Sequence, residues 1–447
     1  MKQLFFLFLF SVGLFAEINL ITHKNIEVLN ALNIEDTFIE NRQLQKLYKD
    51  YAKRKKEYFL NILQNGYNYL PLIRQSIIKS SLPKELISVA MAESYLTTSA
   101  KSHKKAIGLW QFMPKTAKRY GLKIDEYVDE RKDPVKSTEA AIEYLSYLHR
   151  FFGEWYLAIM AYNAGEARIV EAVVRAKVDK LCKSLGRKCR KNPTIKAYRK
   201  IIKNYQRHGR YAFGKLYKLY KKLQDMPITL NELLRYQKGL KRQYLPKETR
   251  KYILKILAMS FLFNSDDFIK YTNSYLLNSG VTSDLKRVEV PAGTSLYYVS
   301  RILDMPYREL RDYNLHLNYS FTPPYKYYIY IPYDKLAEFK IKFHPKHYFI
   351  VYRVKKGDNL LKIARKFDTK VRFIKDFNRI GRFLRIHQKL IIPLSNIYVK
   401  YKVKKGDTLR KVAREFGVSY KKIMKVNNLK SPLIRVGQIL KVPQGLK

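Results

Sequence analysis

Cysteine, glycine, proline and acidic side chains are all scarce in this chain of 447 residues, which has 2 Cys, 18 Gly, 16 Pro and 37 Asp+Glu. Two cysteines cannot frame a disulfide-knit scaffold and, with no His pair at ligand spacing beside them, make no zinc site. The shortage of glycine and proline, with 47% hydrophobic residues and 14% aromatics, excludes a disordered or collagen-like polymer. Beyond the first residues the longest apolar stretch is 256–263, broken by Ser260; a membrane-spanning helix needs about 20 residues. No HExxH, GxxxxGK[ST] or GxGxxG occurs, which argues against zinc hydrolases, nucleotidases and dinucleotide enzymes, and neither a metal nor a cofactor is expected. The shortage of acids has the largest consequence. Against 88 Lys+Arg it leaves a net charge of +51, which suits nucleic acid, an anionic membrane surface or an acidic polymer. A basicity shared by a whole proteome is the plainer alternative.

The start of the chain narrows these choices. Met1 and Lys2, an apolar run over 4–15 and Ala16 before Glu17 read as a signal peptide over 1–16. Export to the periplasm is expected, with loose membrane association only if that segment stays uncleaved. The absence of a nearby cysteine excludes lipid attachment through one. An exported protein without an RNP-like or zinc-finger motif is a poor nucleic-acid binder. In an oxidising compartment Cys182 and Cys189 could form one local disulfide, with free thiols the alternative.

Residues 17–65 are polar and helix-prone, and 66–225 hold the clearest helical signals. Pro83 precedes a pattern that buries Leu86, Val89 and either Ala90 or Met91. Asp133 and Pro134 form an N-cap and first helical residue leading into 137–152. A further helix over 155–162 should end near Asn163 or Gly165. Residues 226–285 continue as helix with no chemistry attached.

From about residue 286 the chain repeats itself. Tyr352-Arg353-Val354-Lys355-Lys356-Gly357-Asp358-Asn359-Leu360 returns as Tyr401-Lys402-Val403-Lys404-Lys405-Gly406-Asp407-Thr408-Leu409, Asn378 answers Asn427, and Pro393 answers Pro443. A weaker copy holds Gly293, Asn314 and Pro332. Each unit reads strand, turn, helix, helix, strand, and such repetition suits a repetitive ligand. These units, over 286–335, 348–394 and 399–445, resemble LysM domains, βααβ modules that bind peptidoglycan-type glycans, the first of them in degenerate form. The resemblance implies glycan contacts around Gly357, Asp358, Asn359 and Leu360, and around Gly406, Asp407, Thr408 and Leu409. On residue chemistry alone these are structural turns. His387 stands where the other repeat has Gly437.

Met91-Ala92-Glu93-Ser94-Tyr95 places a carboxylate at the end of an apolar helical face. At the edge of a dry pocket such a carboxyl stays protonated and can act as a general acid; alone, it reads more readily as a solvated helix-end Glu. Its companions decide the matter: Gly108-Leu109-Trp110-Gln111-Phe112-Met113-Pro114, then Val128-Asp129-Glu130-Arg131-Lys132-Asp133-Pro134, then Ala161-Tyr162-Asn163-Ala164-Gly165. In this order, with LysM units behind them, they resemble the lytic transglycosylases, in texture the D-type membrane-bound murein enzymes. The resemblance implies a multidomain α+β protein, with an all-α goose-type-lysozyme-like catalytic domain over 66–225 followed by the small modules. It implies Glu93 as sole catalytic residue, with Ser94, Ser102, Gln111, Met113, Tyr162 and Asn163 lining the substrate groove. The implied reaction cleaves the bond between N-acetylmuramic acid and N-acetylglucosamine, leaving 1,6-anhydromuramoyl ends. A lysozyme-type hydrolase and a non-catalytic wall-binding protein are the alternatives.

The charge fits this reading. Residues 351–447 hold 27 Lys+Arg against 5 Asp+Glu, so the modules could be drawn to the carboxylates of peptidoglycan by an attraction that weakens with salt.

Overall fold

The computed structural model describes residues 20–443 except 55, 241, 266–284, 345–348, 368, 382, 394–397 and 417. The expected signal segment and part of the helical extension lie outside the described residues. The chain divides into two compact units, Met1–Gln64, Ile77–Ala92 and Ile142–Leu277 in one, and Asn65–Ser76, Glu93–Ala141 and Asn278–Lys447 in the other.

The first unit is helical. The helix Trp155–Ala164 is its centre, because its sequence is apolar on almost every side and Tyr156 through Ala161 are all buried. Gly165, at φ +84°, ends it and lets the chain turn directly into Glu166–Ser184. Glu166–Ser184 and Lys247–Asn264 pack on the central helix, and Lys247–Asn264 also packs on Arg42–Arg54 and His23–Ala31. Segments on either side of the motif blocks therefore build the same core. Cys182 and Cys189 form a disulfide.

The second unit holds the Gly108 and Asp133 motifs and the three repeats. Asp133 caps the helix Pro134–Phe152, its Oδ1 accepting from the Val135 and Lys136 amides at 2.9 Å each. Each repeat is two helices between paired antiparallel strands: β1 (Leu285–Val290) with β2 (Tyr327–Pro332), β3 (Phe349–Arg353) with β4 (Lys389–Pro393), and β5 (Tyr398–Lys402) with β6 (Ile439–Pro443). One asparagine closes each module. Asn427 donates to the carbonyls of Ile423 (2.8 Å) and Lys441 (2.7 Å) and accepts from the Lys441 amide (2.7 Å), tying the second helix to the last strand. Asn378 and Asn314 make the equivalent bonds. His387 adopts φ +65° where Gly437 has +82°, so the turn survives in a conformation that favours glycine.

Candidate active site

Glu93 is half-buried in the last turn of the helix Ile87–Ser94, of which Val89, Ala90 and Met91 are buried, as is Leu86 in the turn before it. Both Ala90 and Met91 are core residues, because a helix apolar on every side has no solvent stripe. Lys255 Nζ donates to the Ala92 carbonyl at 2.7 Å, placing an ammonium at the negative end of this helix. Ser94 is buried, and its hydroxyl donates to the Leu109 carbonyl at 2.8 Å. Through this bond Ser94 joins the acid's helix to the Gly108 loop.

Directly after Ser94 the backbone is strained. Tyr95 and Leu96 both take φ +55°, a conformation disfavoured for two successive bulky residues. The surroundings hold it in place. The Tyr69 hydroxyl donates to the Leu96 carbonyl, Asn65 Nδ2 to the Tyr95 carbonyl (3.4 Å), and Leu96 is buried where a side-chain carbon on Gly66 would meet its Cδ1 at 2.5 Å.

The loop that follows folds on itself through bridges between Lys101 and Ile107 and between Ile107 and Phe112. Ser102 Oγ accepts from the Ala106 amide at 3.0 Å. Gln111, at φ +47°, donates through Nε2 to the Gly108 (2.9 Å) and Ala100 (3.2 Å) carbonyls. Trp110 is fully buried and bonded to Thr138, whereas Met113 is 43% exposed and free to present an apolar face. Beneath the loop lies Arg131, which belongs to the Val128–Pro134 block and to which the sequence assigns no role in the site. Its guanidinium meets Asp129 through two 2.8 Å bonds and reaches the carbonyls of Lys105 (3.0 Å) and Phe112 (3.2 Å).

Glu93, Ser94, Ser102, Gln111 and Met113 share one unit; Tyr162 and Asn163 stand on Trp155–Ala164 in the other. Tyr162 is half-buried with its ring 5.2 Å from Tyr144, and Asn163 Oδ1 accepts from Thr249 at 2.9 Å. In the repeats, Asp358 and Asp407 each accept from a backbone amide and a tyrosine hydroxyl, while Asn359 and Thr408 cap the next helix. Leu360 and Leu409 are core residues. These side chains build the loops, which leaves the exposed backbone at Gly357 and Gly406 as the surface a ligand would meet. Among the described residues no cluster of His, Cys, Asp or Glu could hold a metal, and no helix is long and apolar enough to cross a membrane.

Comparison with known proteins agrees with this layout. Residues 72–181 match the transglycosylase SLT domain, 352–393 and 401–443 match LysM domains, and 284–343 match the LysM-like domain of lytic transglycosylase MltD. The membrane-bound lytic murein transglycosylase D of Escherichia coli is 25% identical over 380 residues, 80% of this chain and 83% of that one. A protein of Alteromonas named for tributyltin chloride resistance is 44% identical over 110 residues, covering 24% of this chain and 53% of its own length. Among solved structures, the Bacillus megaterium spore cortex-lytic enzyme SleL is 32% identical over 22% of this chain and 24% of that one, with a TM-score of 0.14 that carries no argument about the fold.

Proposed function

We propose that this chain, which carries an SLT transglycosylase domain, an MltD-type LysM-like domain and two LysM domains, is an exported, wall-bound enzyme that cleaves peptidoglycan glycan strands without water. Glu93 acts twice. Its carboxyl protonates the oxygen joining C1 of N-acetylmuramic acid to C4 of N-acetylglucosamine as the C1–O bond breaks. Its carboxylate then takes the proton of the muramoyl C6 hydroxyl as that oxygen bonds to C1. The acid is restored, and the products are a free C4 hydroxyl and a 1,6-anhydromuramoyl end.

One observation carries this reading. Glu93 ends an apolar, buried helix that Ser94 and Lys255 fix at its last turn, and a strained turn at Tyr95 and Leu96 follows at once. Rigid placement of a half-buried carboxyl is what one group alternating as acid and base needs. Ser102, Gln111 and Met113, in the same unit as Glu93, supply hydrogen-bonding and apolar surface for the sugars. The Gly357 and Gly406 loops, where an added side-chain carbon would meet nothing within 4 Å, are open to glycan. Digestion of purified sacculi tests the proposal: anhydro-muropeptides are expected, and reducing-end muramic acid as the main product would mean a hydrolase instead.

A further inference from the structure

The first repeat differs from its two successors in what its loops touch. The glycines that open the first loop in the later modules, Gly357 and Gly406, are exposed. Their counterpart Gly293 is buried with Thr294 and Ser295, and a side-chain carbon there would meet Phe377 at 2.8 Å. The module's own chain fills the remaining space. The Gly293 amide donates to Pro323 (3.1 Å), the Leu296 amide to Ser320 (2.8 Å) and the Thr322 amide to Thr294 (2.9 Å). Gly293, Thr294 and Ser295 therefore offer no exposed backbone like that of Gly357 and Gly406.

The module's strand β2 faces the Asp133 motif. Tyr327 donates to Glu130 (2.8 Å), while Tyr328 (2.6 Å) and Tyr330 (2.9 Å) donate to the two oxygens of Asp133, all of them buried. Backbone bonds from Asp129 to His316 and from Asn318 to Tyr127, each 2.8 Å, continue the contact. These hydroxyls satisfy carboxylates that could not otherwise be buried. The same motif supplies Arg131, which grips the Gly108 loop, and that loop holds Ser94 beside Glu93.

The next module packs on this assembly through the helix Val371–Asn378. Ile374 faces that module's own core, whereas Phe373, two per cent exposed, lies in the first repeat's core beside Tyr127 and Phe321. Tyr127 donates to Asp376 at 2.6 Å, and Arg372 pairs with Glu126. By contrast, the core of the last module consists of its own residues.

We infer that the module at 284–343 is not a third glycan reader but a joint, which holds the module at 352–393 in fixed register with the segment bearing Glu93. The inference rests on the proposed reaction only for its consequence: a glycan seated on the Gly357 loop enters the site at a set distance, while the last module serves as a looser anchor.

The test is the full-length protein with Phe373→Ser and Phe377→Ser together, which open the joint and leave the module's own core intact. Hydrogen exchange needs no activity. Amides of Val371–Asn378 should exchange at least about tenfold faster, with those of Leu360–Lys366 unchanged; exchange unaltered in both helices contradicts the joint. Cleavage of short soluble glycans and pelleting with sacculi should stay within about twofold, while release from sacculi falls about tenfold, a loss of only part of the roughly 100- to 10,000-fold by which linkage can raise avidity. Restoring bulk with Leu at both positions should recover most of that loss. Equal loss on short glycans would mean that the face only supports the catalytic fold, and unchanged release from sacculi would mean that the module is a free tether. A wild-type protein that leaves short glycans uncut would refute the proposed reaction, and hydrogen exchange would still decide the joint.

Discussion

The carbonyl oxygen of Arg131 occupies the place where any side chain on Gly108 would begin: a Cβ built there stands 1.7 Å from it. Gly108 also holds φ +87°, so the Gly-Leu-Trp-Gln motif starts with glycine for two separate reasons. Gly108→Ala must push the loop off the Asp133 motif. The expected cost is about 3 kcal/mol or more, read as a lowered melting temperature, with loss of sacculus digestion because Gln111 and Ser94 lose their anchor.

Arg131 should be equally intolerant. Arg131→Met leaves the buried Asp129 without its cationic partner, with only the backbone amide of residue 131 still donating to it, and frees two loop carbonyls, a loss of about 3–5 kcal/mol. Arg131→Lys should rescue little, since an ammonium cannot make the paired bonds to Asp129 and still reach Lys105 and Phe112. Denaturant melts of the three proteins check the order.

His316 is expected to make the protein acid-sensitive. It is fully buried, stacks on Tyr328 at 5.2 Å, and has Nδ1 4.0 Å from Asp133. Burial pushes its pKa down to about 4, with Arg311 and Lys132 adding to the effect and Asp133 opposing it; Tyr327 and Tyr330 complete its surroundings. The unfolded chain therefore binds the proton first. Stability is complete above about pH 6.5 and falls as the pH drops towards 4, by up to about 3 kcal/mol from this group. His316→Phe should remove that share of the pH slope, measured as melting temperature against pH.

Asn427→Ala removes three bonds that tie a helix to the last strand of the final module. A loss of about 2–3 kcal/mol is expected, enough to unfold a small module. Because that module's core is its own, calorimetry should show one transition lost and the main transition unmoved, with weaker sacculus binding.

What the sequence made legible was local chemistry. Asp133 and Pro134 mark the start of Pro134–Phe152, Gly165 marks the end of Trp155–Ala164, and the paired repeats show their strand, turn and helices in register. What stayed hidden were contacts between distant residues. Tyr328 reaches Asp133 across 195 positions and Lys255 reaches Ala92 across 163, and no periodicity encodes either meeting. Ser94 shows the same limit: next to Glu93 in sequence, its hydroxyl meets the Leu109 carbonyl, a contact that adjacency does not encode. The first repeat reads as a degenerate LysM unit, because the tyrosines of β2 that meet Glu130 and Asp133 read in sequence only as strand residues.

The most direct test of the account is mass spectrometry of the soluble products from sacculi treated with wild-type protein and with Glu93→Gln. The wild type should release muropeptides ending in 1,6-anhydromuramic acid. Glu93→Gln should still pellet with sacculi and retain its melting temperature, while release falls by about a thousandfold or more, a loss of the size expected for a sole general acid and base. Release by Glu93→Gln at a rate near wild type would contradict the central role given to this carboxyl.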